Sequence, residues 1–133
     1  MITLYAYKDM SHEFGNKIKK QRLHLGLSLR KVCESVCNEE GKPISVSYLK
    51  DIEQGYRKPP TGKIVVQLAT ILKIDPQELL NLAGKVDPVI EDMVSKDAKV
   101  GVLFRRIAEH FERDPGVVDR LNEGLNKEND KNK

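Results

Sequence analysis

Ser45-Val46-Ser47-Tyr48-Leu49-Lys50-Asp51-Ile52-Glu53-Gln54-Gly55 reads as a short helix with both of its ends marked. Ser45 offers a side-chain acceptor at the N-cap. Gly55 is the residue type that most cheaply takes the left-handed conformation ending a helix. Between them, Leu49 and Ile52 form an apolar side, with Val46 and Tyr48 near the start. A helix this short is not stable alone in water, so the segment must rest on neighbours.

The flanking sequence supplies them, and its periodicity is helical nearly throughout. Upstream, Ser11 can cap a first helix with Phe14 and Ile18 on one face and Leu25 beyond, ended by Gly26. Ser28 can cap a second helix carrying Leu29, Val32, Cys33 and Val36. Asn38 to Pro43 is a loop, since Gly41 and Pro43 break helices. Downstream, Pro59-Pro60 is an extended link, and Thr61 starts a fourth helix with Ile64, Val65, Leu68, Ala69, Ile71 and Leu72. Asp75-Pro76-Gln77-Glu78 places a capping Asp, a Pro at the first helical position and a Glu at the third, opening a fifth helix through Leu79, Leu80, Leu82 and Ala83 to Gly84.

The remainder is a helical extension over 85–126. Asp-Pro recurs at 87–88 and 114–115, and Val100, Leu103, Phe104, Ile107, Ala108 and Phe111 between them make a wide apolar stripe. Val117, Val118, Leu121 and Leu125 repeat it more briefly. Residues 127–133 are polar throughout and are expected to be a disordered tail. Residues 1–10 alternate apolar and polar side chains, which reads as an arm or a short strand.

Composition narrows the function classes. The chain has 133 residues, 32% of them charged, yet a net charge of only +3, which is not the pattern of a disordered polyelectrolyte. No apolar run approaches the ~20 residues of a bilayer span, and the N-terminus has no secretory pattern. Residues 1–84 carry 13 Lys/Arg against 9 Asp/Glu, and residues 85–133 carry 10 against 11, so a basic module joins a near-neutral one. Cys33 and Cys37 stand four apart on the predicted second helix with only His24 near, which suits small core residues in a reducing cytosol better than a disulfide or a metal site. His12, His24 and His110 fall on separate predicted helices with no nucleophile beside them. No catalytic residue, metal or cofactor is expected, and the expected localisation is cytoplasmic.

The second and third helices together form a helix-turn-helix pattern, whose second helix can enter a DNA major groove. From Phe14-Gly15 through Gly84 the sequence resembles the Cro/C1-type (XRE) helix-turn-helix domain of phage repressors and bacterial regulators. The matching pieces are Ile18-Lys19-Lys20-Gln21-Arg22, Gly26-Leu27-Ser28, Ile44 to Gly55, Arg57-Lys58-Pro59-Pro60 and Leu68 to Leu80, in family order. The resemblance implies an all-α fold: a five-helix lambda-repressor-like DNA-binding bundle over 11–84 with a helical C-terminal extension. Carried over by position, Ser45 caps the recognition helix, and Val46, Ser47 and Asp51 face the bases with Tyr48 and Lys50 beside them. Gln54, Arg57 and Lys58 meet the phosphate backbone. Arg22 and Glu53 match a structural salt bridge tying the first helix to the third.

Two departures are specific to this chain. Leu29 stands where the family often has a Gln at the start of the second helix and cannot make its hydrogen bond, so Arg30 or Lys31 is expected to substitute; Ser28 beside them is also expected at the DNA. Ser28 to Ser45 spans 17 positions where the family typically has 11. The added length at 38–43 is read first as a tolerated insertion, which costs little entropy, and otherwise as a way to present Lys42 to phosphate. On the reading helix, Val46 suits a thymine methyl and Ser47 several bases, while Asp51 either accepts from a cytosine amino group or orients Lys50 or Arg57.

These readings lead to a regulator that binds double-stranded DNA, a repressor acting as a homodimer. Its seam is expected along Val100, Leu103, Phe104, Ile107 and Phe111. The alternative is an antitoxin-like interaction module whose C-terminal helices hold another protein. No phosphate-binding Gly loop, metal-ligand cluster or nucleophile–base set supports an enzyme.

Overall fold

The computed structural model describes residues 4–131, and side chains from Met10. Its helices are α1 (Leu4–His24), α2 (Leu29–Glu34), α3 (Val46–Glu53), α4 (Gly62–Leu72), α5 (Pro76–Ala83), α6 (Pro88–Lys96), α7 (Ala98–Arg113) and α8 (Val117–Lys131). No strand occurs among the described residues; a lone bridge joins Cys37 to Pro43. The chain divides into two compact units, one ending at Pro88 and the other starting at Val89.

In the first unit α1 packs on α3, α4 and α5, α2 on α3, and α4 on α5. Phe14 and Ile18 of α1 meet Val32, Leu49, Ile52, Val65, Leu68, Leu72, Leu79 and Leu80 in one core. These residues recur at three- and four-residue steps, so each helix turns one apolar stripe inward. The local end signals act as the pattern implies. Ser28 accepts from Lys31 N, Ser45 from Tyr48 N and Asp75 from Gln77 N, and Gly84 closes α5. Thr61 stands at the N-cap of α4 without a side-chain cap bond.

The first helix differs from the expectation. It begins by Leu4, and Ser11 lies inside it, 4% exposed on the same buried face as Phe14 and Ile18. No Gly or Pro interrupts Leu4–Met10, and an alternation this short does not separate a strand from a helix. The strand or arm is therefore corrected to helix for residues 4–10; residues 1–3 lie outside the described residues. His12 and His24 both lie on α1, not on separate helices. At the other end, α8 runs to Lys131, not stopping near 126. Nothing after Gly124 breaks a helix, and Lys131 pairs with Glu128 one turn back. Residues 132–133 lie outside the described residues.

The connection between α2 and α3 is ordered. α2 stops at Glu34, so Cys37 is not on a helix face with Cys33. Gln67 of α4 holds the Cys37 backbone from both sides, its Oε1 accepting from Cys37 N at 2.8 Å and its Nε2 donating to Cys37 O at 2.9 Å. The Asn38 side chain accepts from Glu40 N and Lys42 N, and Asn38 N donates to Lys42 O at 2.8 Å. The added residues thus close on themselves as an exposed excursion. Lys42 is exposed there, 3.8 Å from Glu40.

α1 crosses α3 at Gly15. A Cβ there would collide with the carbonyl oxygens of Ile52 and Glu53. Backbone atoms cannot swing aside as a flexible side chain can, so overpacking outweighs the better helix propensity of alanine. Gly15→Ala is expected to destabilise by about 1–3 kcal/mol, against a propensity gain of about 1 kcal/mol. A thermal melt checks this, and an unchanged or raised midpoint contradicts it.

In the second unit α7 packs on α8. No residue of α6, α7 or α8 is buried. Leu103, Phe104, Phe111, Leu121 and Leu125 stay exposed.

Candidate nucleic-acid interface

α3 is positioned from beneath by Leu49, Ile52 and Glu53, all buried. Its opposite side carries Ser47, Lys50, Asp51 and Gln54 at i, i+3, i+4 and i+7. All are exposed except Asp51, which is half-buried. Val46 sits at the edge of this stripe and is also exposed. Ser45 is exposed, its hydroxyl oxygen occupied by the Tyr48 N–H at 3.0 Å.

The buried end of α3 is held electrostatically. Arg22 Nε donates to Glu53 Oε2 at 2.7 Å and Arg22 Nη2 to Glu53 Oε1 at 2.9 Å, a two-pronged pair between α1 and α3. Arg22 Nη1 donates to Leu27 O at 2.9 Å, so the same guanidinium also secures the link into α2. Arg22 is 8% exposed and Glu53 5%. The hydrogen bonds to Glu53 push the Arg22 pKa up, and burial opposes them. The pair carries its charge but faces no solvent, so its part is to fix the angle of α3.

Past the end of α3 the chain turns at Gly55, whose φ of 78° is the left-handed conformation. A Cβ at Gly55 would come within 2.5 Å of His12 Nδ1, so this turn also needs the missing side chain for room. The turn returns Arg57 over α3. Its Nε lies 3.6 Å from Asp51 Oδ2, and its guanidinium carbon is 5.3 Å from the centre of the Tyr48 ring. Of the two partners considered for Asp51, the ion pair recorded here is with Arg57. Both contacts are partly exposed, each worth at most about 1 kcal/mol, so their effect is to orient Arg57. Tyr48 is half-buried, and burial pushes its phenol pKa up against Arg57. The hydroxyl is therefore protonated at neutral pH and able to donate.

At the start of α2, Ser28, Arg30 and Lys31 are exposed. Leu29 packs against the core, so it contributes support in place of a polar contact. Lys58 is exposed beside Arg57. A cleft of about 940 Å³ opens here, and it brings in residues that sequence reasoning passed over: His12, Tyr56 and Lys85. His12 and Lys85 lie outside the recognised motif and gave no local signal that folding would bring them here. In the second unit, Val100 and Ile107 are half-buried, and Leu103, Phe104 and Phe111 are exposed.

Among the described residues no group of His, Cys, Asp and Glu is placed to hold a metal ion. Among them, no helix is long and apolar enough to cross a membrane.

A capped helix with a polar outward face, following a second short helix and packed on α1, defines a helix-turn-helix DNA-binding domain. Residues 18–79, just under half of the chain, match the family model described as Helix-turn-helix, that of the Cro/C1-type (XRE) family. The chain is thus a DNA-binding transcriptional regulator. No curated protein and no solved structure matched it.

Proposed function

We propose that this regulator is a dimeric repressor whose α3 lies in the major groove and reads bases with Val46, Ser47 and Lys50. Gln54, Arg57 and Lys58, with Ser28, Arg30 and Lys31 at the start of α2, grip the flanking phosphates. The observation that carries this reading is the outward polar stripe of α3, continuous with Arg57 at its end. Asp51 has the part of orienting Arg57, because its carboxylate already has that cation as partner. No Arg, Asn or Gln stands at the first base-facing turn of α3, so DNA shape contributes to specificity beside direct contacts. A dimer on two half-sites sets two recognition helices roughly 34 Å apart. It occludes the duplex beneath it, which is the physical basis for repression.

Selection of bound sequences from random duplexes, with native mass measured on the complex, tests this. Arg57→Ala and Lys58→Ala are each expected to weaken all duplexes alike and to lower the salt slope by about 1. Ser47→Ala is expected to change the preferred sequence while leaving the slope intact. A selection that returns the same sequences from Ser47→Ala, Val46→Lys and the unaltered chain defeats the assignment of the reading face. The second reading is an antitoxin-like protein whose partner covers α7. It draws on the absence of buried residues in α6, α7 and α8, and a second chain in the native mass supports it.

A further inference from the structure

We propose that Lys85, with His12 lining the same cleft, completes a phosphate seat beyond the end of α3, so that the DNA backbone is gripped by residues outside the helix-turn-helix motif. The proposal rests on the reading that α3 docks on duplex DNA, and extends that footprint.

The cleft, about 940 Å³, is built from several separate parts of the first unit. His12 comes from α1, Tyr48 from α3, Tyr56 and Lys58 from the turn after it, and Lys85 from just past α5. Arg57 also lines it, so three cationic side chains converge there. No carboxylate is among the lining residues. Arg57 among them is paired with Asp51. Concave walls of one charge sign concentrate a field that draws in an anion. Thr61, the N-cap of α4, lines the same space, so the positive end of that helix lies at its edge.

The donors present are those a phosphate oxygen takes: ammonium, guanidinium and phenol hydroxyl. Tyr56 is 76% exposed although its own N–H is engaged with Asp51 O at 2.9 Å. An aromatic so exposed on a pinned backbone offers a hydroxyl and a flat face to a ligand in the cleft. Pro59 and Pro60 are buried and give the wall little freedom to collapse. The occupant is a backbone phosphate of duplex DNA because Tyr48 belongs to both surfaces: it lies on α3 and lines the cleft. A duplex lying along the outward face of α3 therefore runs its strand past this opening.

The test uses the full chain and a duplex from the selection above, with affinity followed against salt by fluorescence anisotropy. Lys85→Gln is expected to weaken binding by roughly three- to ten-fold near physiological salt and to reduce the slope by about 1, equally on the selected and an unrelated duplex. Lys85→Arg is expected to restore both. Lys73→Gln, at an exposed position between α4 and α5, is expected to change neither, and thermal melts confirm that all three variants fold. An unchanged slope in Lys85→Gln while the unaltered chain binds normally overturns the proposal and leaves the α3 reading standing. Loss of all salt-dependent duplex binding by the unaltered chain overturns both. Resonance shifts at Lys85 and His12 with inorganic phosphate alone, with duplex affinity indifferent to Lys85→Gln, overturn it in favour of a small-anion site.

Discussion

Glu53→Ala is expected to unfold the DNA-binding unit at temperatures where the unaltered chain is folded. Glu53 and Arg22 are both nearly solvent-free and face each other with two hydrogen bonds. Removing the carboxylate leaves a guanidinium buried between α1 and α3 with only the Leu27 carbonyl as acceptor. Breaking a buried pair from one side costs about 3–5 kcal/mol, a large part of the roughly 5–15 kcal/mol that holds a domain together. For a unit of this size that is a fall in thermal midpoint of roughly 12–40 °C. The double replacement Arg22→Met with Glu53→Leu is expected to recover much of the loss, because the penalty belongs to the unpaired charge more than to the missing attraction. Circular dichroism melts of the three proteins measure this. A loss below ~1 kcal/mol in Glu53→Ala, as exposed pairs give, would mean that water reaches the pair in solution.

Leu103→Asp combined with Phe104→Asp is expected to halve the native mass and to weaken operator binding by about 10²–10⁴, the avidity lost when two linked half-site contacts become one. Phe104 is 44% exposed and Phe111 and Leu103 about half, on a helix with no fully buried residue. An apolar stripe of this extent in water is a liability unless a partner covers it, and the proposed seam supplies a second copy. Both substitutions lie in the second unit, so the melt of the first unit is expected to be unaffected and the loss separable from unfolding. An unaltered chain that weighs as a monomer contradicts the seam. A complex containing a different protein, lost in the same variant, supports the antitoxin-like reading.

The two predictions draw on features that were legible to different degrees. The bounds of α3 follow from Ser45 and Gly55, and those of α5 from Asp75-Pro76 and Gly84, because a cap acts on backbone groups two to four residues away. The inward stripes of α4 and α5 follow from spacing alone for the same reason. Arg22 and Glu53 were paired through resemblance, since nothing local connects residues on different helices. That α6, α7 and α8 bury no residue fits the expected seam, but the sequence left intramolecular core as the other reading, because an amphipathic stripe looks the same whether its cover is intramolecular or another chain.

By itself, then, the amino-acid order determined where most helices begin and end, which side of each turns inward, and that the short helix after Ser45 presents polar groups outward. Tertiary structure alone decided that Ser11 lies within α1, that Cys37 leaves the helix under the hold of Gln67, that Asp51 meets Arg57, and that Lys85 and His12 share a cleft with the end of α3. The division has a physical cause. Caps and periodicity act over one or two turns of chain, whereas the partner of a charged or polar side chain depends on which distant segment the core brings beside it.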